Sequence, residues 1–429
     1  MIVSILSGVI VFSILIWLIL RILHFSGLDM PRGKTYSFLT ASLTKRPDVS
    51  KQYSALQVFC LALIFRIVIY IFEALILFML TDEHFTFTTF LRRLEIWDST
   101  NYVRIAGGGY SSYTENGAYT TLVFFPLYPY AARLINFVIQ NLRVSLLMTS
   151  TLAYAGGCVF LYKLCLCDYS HTAAKRSAIY ISIFPFAFFF GAMMSESMLF
   201  FTTAMALYFI RKHKWFLAGL CGLLASLSRL AGVVVIFAAA AEFLEEYKIV
   251  SLIQKREFKK ILSVIFSKGL YLLLIPLGTV IYLIVNKIVA GNYFAFLQYD
   301  SQFWGQGSQF IGKCISMTAK NAFDFANVKR SLSMWLPYLI IIIFGIVMII
   351  YGMRRNRSMY SAYFLAYFIL NTSVKYPISG CRYMTCMIPM FMFLADFTTR
   401  HDRADAWITV TFSILFGIYL IAYFNSLII

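Results

Sequence analysis

Charged side chains are scarce in this sequence, at 13% of 429 residues, about half the share of an average soluble domain. Hydrophobic residues fill 60% of it and the mean hydropathy is +0.76. So little polar surface cannot cover a water-soluble globule of this length, so lipid must be the solvent for much of the chain. Patterns for holding a metal are also lacking. The eight cysteines are scattered, Cys165 and Cys167 standing two apart, and no CxxC pair has a second pair at zinc spacing. The five histidines are isolated. The cysteines read as apolar packing residues in helices, and no metal ligand is assigned. No small-residue cleavage site follows the apolar run 3–20 before Arg21, which makes that run a retained first helix. Neither an internal repeat nor a low-complexity segment is visible. One membrane domain over 1–429 is therefore the simplest count, and the repeated halves common in transporters are missing.

What the sequence does have is positive charge and long apolar runs. The formal net charge is +18. Most Lys and Arg fall in short loops between apolar stretches, where they set membrane orientation, and no free basic face is left for nucleic acid. Aromatics reach 18%, enough to furnish interfacial belts. Apolar runs at 3–23, 57–80, 144–164, 177–194, 197–211, 215–228, 231–247, 269–289, 333–352, 359–371, 382–398 and 406–425 predict an all-α polytopic protein of about twelve membrane helices. Several are shorter than the roughly 20 residues of a full crossing, which suits helices that stop early and line a cavity. Placing 24–56 on the cytoplasmic side gathers Lys175, Arg176, Arg211, Lys212, Lys214, Lys248, Lys255, Arg256, Lys259, Lys260, Arg354, Arg355, Arg357, Arg400 and Arg403 there, as the positive-inside rule favours. Both ends of the sequence then lie outside. The assignment requires 122–140, with Pro126, Pro129 and Arg133, to be an interfacial or re-entrant helix. Two large outer loops follow. The first, 81–143, carries Asp82, Glu83, Glu95, Asp98 and Glu115. The second, 290–332, carries Asp300 and Asp324 among Tyr293, Phe294, Tyr299, Phe303 and Trp304.

Chemistry concentrates in 96–110, IWDSTNYVRIAGGGY. Asp98 follows the interfacial Trp97 and precedes a helical run that Gly107, Gly108 and Gly109 end. It reads as a mere N-cap of that run, or as a carboxylate at the membrane surface able to act as a general base on a hydroxyl, and the two roles are compatible. Glu196, in MMSESMLF, falls at the same outer level, where it could hold an acceptor or a divalent cation, or merely end a helix in solvent. Arg66 and Glu73 lie inside the second span, about 10 Å apart along one helix face, a separation that reads as too long for a direct pair. Intramembrane charges mark polar cavities or are paired by neighbouring helices. Arg229 in SRLAG, and Arg382 with Tyr383 in YPISGCRYMTCMIP, fall at outer helix ends. With Lys375 they suit a lipid phosphate, or else snorkel at the interface.

These pieces resemble the GPI mannosyltransferase II family of the GT-C superfamily. The stretches concerned are WDSTNYVRIAGGGY (97–110), FFPLYP (124–129), SES (195–197), SRLAG (228–232) and Arg382-Tyr383 followed by Pro389, in an order that spans about 58–398. The resemblance implies a GT-C-type fold whose first outer loop, 81–143, faces a catalytic cavity. It implies a membrane mannosyltransferase on the non-cytosolic side. A polyprenyl-phosphate sugar, dolichyl- or undecaprenyl-phosphate mannose, would give its sugar with inversion to a hydroxyl of a lipid-linked or glycan acceptor. Carried onto this sequence, Asp98 is the base and Glu196 assists with the acceptor. Arg229 and Arg382 neutralise the leaving phosphate, and Arg66, Trp97, Asn101, Tyr102 and Tyr383 contribute to substrate binding. One departure is Asn101, where close relatives often carry a histidine. The membrane would be a bacterial plasma membrane, or the endoplasmic reticulum in a eukaryote. The competing readings are a lipid or lipid-linked-sugar flippase and a non-catalytic assembly subunit.

Overall fold

The structure, a computed structural model, describes residues 1–28, 52–80 and 85–425; Asp82 and Glu83 lie outside the described residues. Within them the chain is helical, with isolated bridges at Glu115–Ala118 and Ser308–Val374 as its only β pairing. Six described helices are long and apolar enough to cross a membrane: Ile2–Phe25, Ala55–Leu80, Leu142–Asp168, Gly269–Ala290, Phe325–Met353 and Asp402–Phe424. A helix satisfies its own backbone, which is what lipid demands.

Six of the twelve apolar runs thus make full-length helices. The other six are present but short or broken. Glu196–Arg211, Trp215–Ser228, Val235–Glu246 and Ser358–Thr372 have 16, 14, 12 and 15 residues, about 18–24 Å at 1.5 Å per residue, short of the roughly 30 Å hydrocarbon layer. The run 177–194 divides into His171–Ile183 and a tight turn at Ala187–Gly191. The run 382–398 divides into Gly380–Met384 and Ile388–Thr398. These pieces are largely buried, so protein rather than lipid surrounds their ends.

Two groups of ion pairs lie at opposite ends of the long helices. Glu196 and Arg143 begin helices at one end. Those same helices finish in Arg211 and Asp168 at the other, where Arg211 donates twice to Asp168 at 2.7 Å. Tyr360 adds a bond to Asp168 at 2.6 Å, and Arg357 meets Glu242 at 2.7 Å. The second end holds the loops read as cytoplasmic. At the first end Ser4 packs against Gly312, so the N-terminal segment shares an end with the 290–332 loop.

Between Pro126 and Gln140 the chain forms a 13-residue helix, Leu127–Ile139, about 20 Å long and too short to cross. It lies along the first turns of Leu142–Asp168. Tyr128 Oη donates to the Leu146 carbonyl at 3.0 Å, and Ser145 Oγ donates to Asn136 at 3.2 Å. Leu134, Phe137 and Val138 are exposed, the apolar face expected of an interfacial helix.

One expectation is corrected. Arg66 and Glu73 do pair directly: Arg66 Nη2 donates to Glu73 Oε1. Both side chains are long, and two helical turns are within their combined reach although not within that of their backbones. Arg66 also lies over the Tyr70 ring, 4.5 Å from its centroid.

Candidate active site

Trp97 takes a left-handed backbone, φ +55°, a conformation that costs a bulky residue energy and persists only where its surroundings impose it. The turn starts the helix Ser99–Gly108 at Asp98. Asp98 occupies the N-cap position, yet its side chain makes no capping bond. Its carboxylate turns away and accepts from Arg382 Nη1 at 2.5 Å. Gly109, at φ +82°, closes the helix by donating to the Ile105 carbonyl.

Arg382 sits on the short helix Gly380–Met384. Its Nε donates to Glu196 Oε1 at 2.6 Å. Arg229 Nη1 donates to that same oxygen. The result is an alternating chain, Asp98–Arg382–Glu196–Arg229, assembled from four separate elements. Glu196 is 1% exposed at its side chain, Arg229 21% and Asp98 24%. Glu196 therefore lies beneath, and Arg229 and Asp98 reach the open. A buried carboxylate shared by two guanidinium groups offsets their charge and fixes their positions, provided the geometry stays intact. Aromatic faces complete the support. Arg229 lies 4.4 Å from the Tyr383 ring centroid and Arg382 5.3 Å from that of Phe189.

The local sequence explains the placement of Arg229. It leaves Trp215–Ser228 in an extended conformation, and the chain then doubles back so tightly that a Cβ on Gly232 would lie 1.9 Å from the Ala225 carbonyl oxygen. Only glycine fits that turn of SRLAG. The hydroxyls of Tyr102 and Ser195, the latter in SES, share a hydrogen bond at 2.8 Å, which ties the first outer loop to the start of Glu196–Arg211. Burial pushes the Tyr102 phenol well up, so it acts as a neutral hydrogen-bonding group.

Above this chain opens a cavity of about 230 Å³ whose walls include Asp98, Tyr102, Arg229, Asp300, Trp304 and Tyr383. The FFPLYP segment contributes Phe124 and Phe125. Phe124 meets Trp304 edge to face at 5.9 Å, and Phe125 stacks on Tyr282 at 3.9 Å. The second outer loop roofs the cavity and is stitched to 373–376. Gln309 N–H donates to the Ser373 carbonyl at 2.9 Å, Lys375 N–H to Gly307 at 2.7 Å, and Gln306 Nε2 to Tyr376 at 2.8 Å. Lys375 itself is exposed and does not line the cavity.

Of the residues singled out in the sequence, the structure brings Asp98, Tyr102, Arg229 and Tyr383 to the cavity wall, with Arg382 and Glu196 directly behind. Trp97 and Asn101 stay outside it; Asn101 accepts a long bond from Arg104 at 3.4 Å. Arg66 lies apart with Glu73, touching the Phe188 carbonyl and Gly191. Asp300 and Trp304 were read only as members of an acidic, aromatic loop. No motif marked them, since what makes them site residues is the folding of that loop across the first. Asp98 and Asp300 are the carboxylates available there to a divalent cation. Burial pushes the Asp300 carboxyl up to about 6, with the Asp98 carboxylate adding to the shift and Arg229 opposing it.

No family model matches the chain, and a search of the curated proteins finds no match. Among solved structures, the chain is similar to the crystal structure of the Archaeoglobus fulgidus oligosaccharyltransferase tethered with an acceptor peptide (TM-score 0.43, 14% identity, 88% of this chain and 55% of that one). It is also similar to the archaeal oligosaccharyltransferase AglB from Archaeoglobus fulgidus in complex with an inhibitory peptide and a dolichol-phosphate (TM-score 0.41, 14% identity, 87% and 55%). The chain spans about 55% of the length of those two structures. At these scores the similarity carries no inference about substrate or chemistry, and the resemblance to the GPI mannosyltransferase II family rests on its motifs alone.

Proposed function

We propose that this chain is a membrane glycosyltransferase of the GT-C kind. It moves a sugar, mannose on the motif resemblance, from a polyprenyl-phosphate donor to a hydroxyl of a lipid-linked or glycan acceptor on the non-cytosolic side, with inversion. The observation that carries the reading is Asp98. It starts a helix without capping it and instead reaches Arg382 at the floor of a cavity that also holds Arg229.

In the reaction the acceptor oxygen forms a bond to the anomeric carbon. The bond from that carbon to the phosphate oxygen breaks, and its electron pair leaves with the phosphate. Arg229 faces the growing phosphate charge with paired donors. Its fixed position, set by Glu196 and Tyr383, means that little reorganisation is required as charge develops. Asp98 and Asp300 face the acceptor side.

Protein reconstituted in lipid with radiolabelled undecaprenyl-phosphate mannose and a total membrane lipid and glycan extract tests this. Transfer of label is expected to vanish in Asp98→Ala and to survive in Glu115→Ala, an exposed acidic residue of the same loop. Loss of label from the donor in neither the wild type nor any variant, together with movement of intact donor between leaflets, would establish a flippase instead.

A further inference from the structure

Two carboxylates line the cavity, and they are not equivalent. Asp98 already gives an oxygen to Arg382 at 2.5 Å. That oxygen is committed to a buried guanidinium, which fixes the carboxylate in place. The Asp300 carboxylate makes no hydrogen bond and no ion pair among the described residues, although it is only partly exposed and lines the same cavity. A carboxylate without such a partner, facing a cavity where a hydroxyl must arrive, has its lone pairs available.

The backbone under Asp300 is firmly held. Its helix, Ala295–Trp304, packs on Thr120–Val123. The Phe296 N–H donates to the buried Asn286 side chain at 3.0 Å. The Asp300 carbonyl accepts from Gly305 N–H, which closes the helix, and from Gln306 N–H at 3.2 Å. Such anchoring suits a group that has to meet a reacting atom. The titratable and charged groups around it are Asp98, Arg229, Tyr102 and Tyr383 across the cavity, Tyr282 and Lys287 on Leu274–Ala290, and Tyr299 on its own helix. Among the described residues Arg229 is the one cation that lines the cavity with it, and its Nη1 is held by Glu196.

We infer that Asp300 is the proton acceptor of the transfer, and that Asp98 orients the acceptor and holds Arg382. This inference rests on the glycosyl-transfer reading above. The acceptor O–H proton passes to the Asp300 carboxylate as the oxygen bonds to the anomeric carbon. The donor's carbon–oxygen bond breaks, and the phosphate departs with the electron pair. The protonated Asp300 later gives its proton to water. The group's elevated proton affinity agrees with this task, because a base works best with a pKa near the working pH.

The experiment measures label transfer from undecaprenyl-phosphate mannose to the membrane extract between pH 4.5 and 8.5, alongside equilibrium retention of the donor by the protein. In the wild type the rate is expected to fall as the pH drops through about 6. Asp300→Asn should cut transfer by roughly 10²–10⁴-fold, retain the donor as the wild type does, and abolish the acidic limb. Asp300→Glu should recover part of the rate and the limb. Transfer by Asp300→Asn within about threefold of the wild type, or residual activity that keeps the same acidic limb, would overturn the assignment while leaving the glycosyltransferase reading in place. Loss of donor retention in Asp300→Asn would likewise reduce the residue to a structural part. Failure of the wild type to consume donor at any pH would sink both readings together.

Discussion

Glu196 shows how much one side chain can organise. A single buried oxygen accepts from both Arg229 and Arg382, so removing its charge strands two guanidinium groups at once. Glu196→Gln is expected to cost about 3–5 kcal/mol, the range for breaking a buried ion pair, read as an earlier thermal inactivation in detergent. Asp300 should behave in the opposite way. Burial lifts its carboxyl from the usual 3.8 to about 6, so its contribution to stability is complete below pH 3.8 and is lost as the pH rises through 6. Asp300→Asn should therefore stabilise the protein at pH 7, by about 1 kcal/mol once partial exposure is allowed for, and give no gain at pH 3.5. Thermal inactivation at the two pH values checks this, and a variant that is sturdier but slower would be the mark of a strained functional carboxylate. At this scale the sequence left Asp98 with two readings, cap or working carboxylate. It could not show what the carboxylate meets, because that group is Arg382, 284 positions away.

The elements depend on close backbone approach. Trp215–Ser228 packs against Leu274–Ala290 so tightly that a Cβ on Gly278 would come within 2.3 Å of the Leu223 carbonyl oxygen. Gly278→Ala should push the helices apart, carry Arg229 away from Glu196, and cost about 1–3 kcal/mol as overpacking does. Lower thermal stability together with reduced transfer would report both effects. Hydropathy reveals apolar stretches but not where a helix stops. The six long helices stood out because a long apolar run has one stable answer in lipid. The breaks inside the runs 177–194 and 382–398 did not, since the freed backbone groups are satisfied by neighbouring segments, as where Tyr70 donates to the Gly191 carbonyl.

On the scale of the whole molecule, an apolar middle separates two polar ends, one carrying the cavity and the other the Asp168–Arg211 and Glu242–Arg357 pairs. Single cysteines test that arrangement in a Cys60→Ser background, which removes the one exposed thiol among the described residues. A cysteine at Glu115 should react with an impermeant maleimide in intact cells. One at Lys255 should react only after permeabilisation. The reverse pattern would put the cavity on the cytosolic side and end the proposed use of a donor from the outer leaflet.

Composition and hydropathy by themselves determined that this chain is helical and built for lipid, because a 60% apolar sequence has no other solvent in which to fold. Basic loops favoured one orientation, and the short motifs pointed to Asp98, Arg229 and Arg382. Only the tertiary structure decided that Glu196 lies beneath the site as a shared anion, that Arg66 is taken up by Glu73, and that Asp300 faces Asp98 across one cavity. Those are contacts between residues far apart in the chain, and their geometry is set by how short helices and two outer loops pack, which no local pattern encodes.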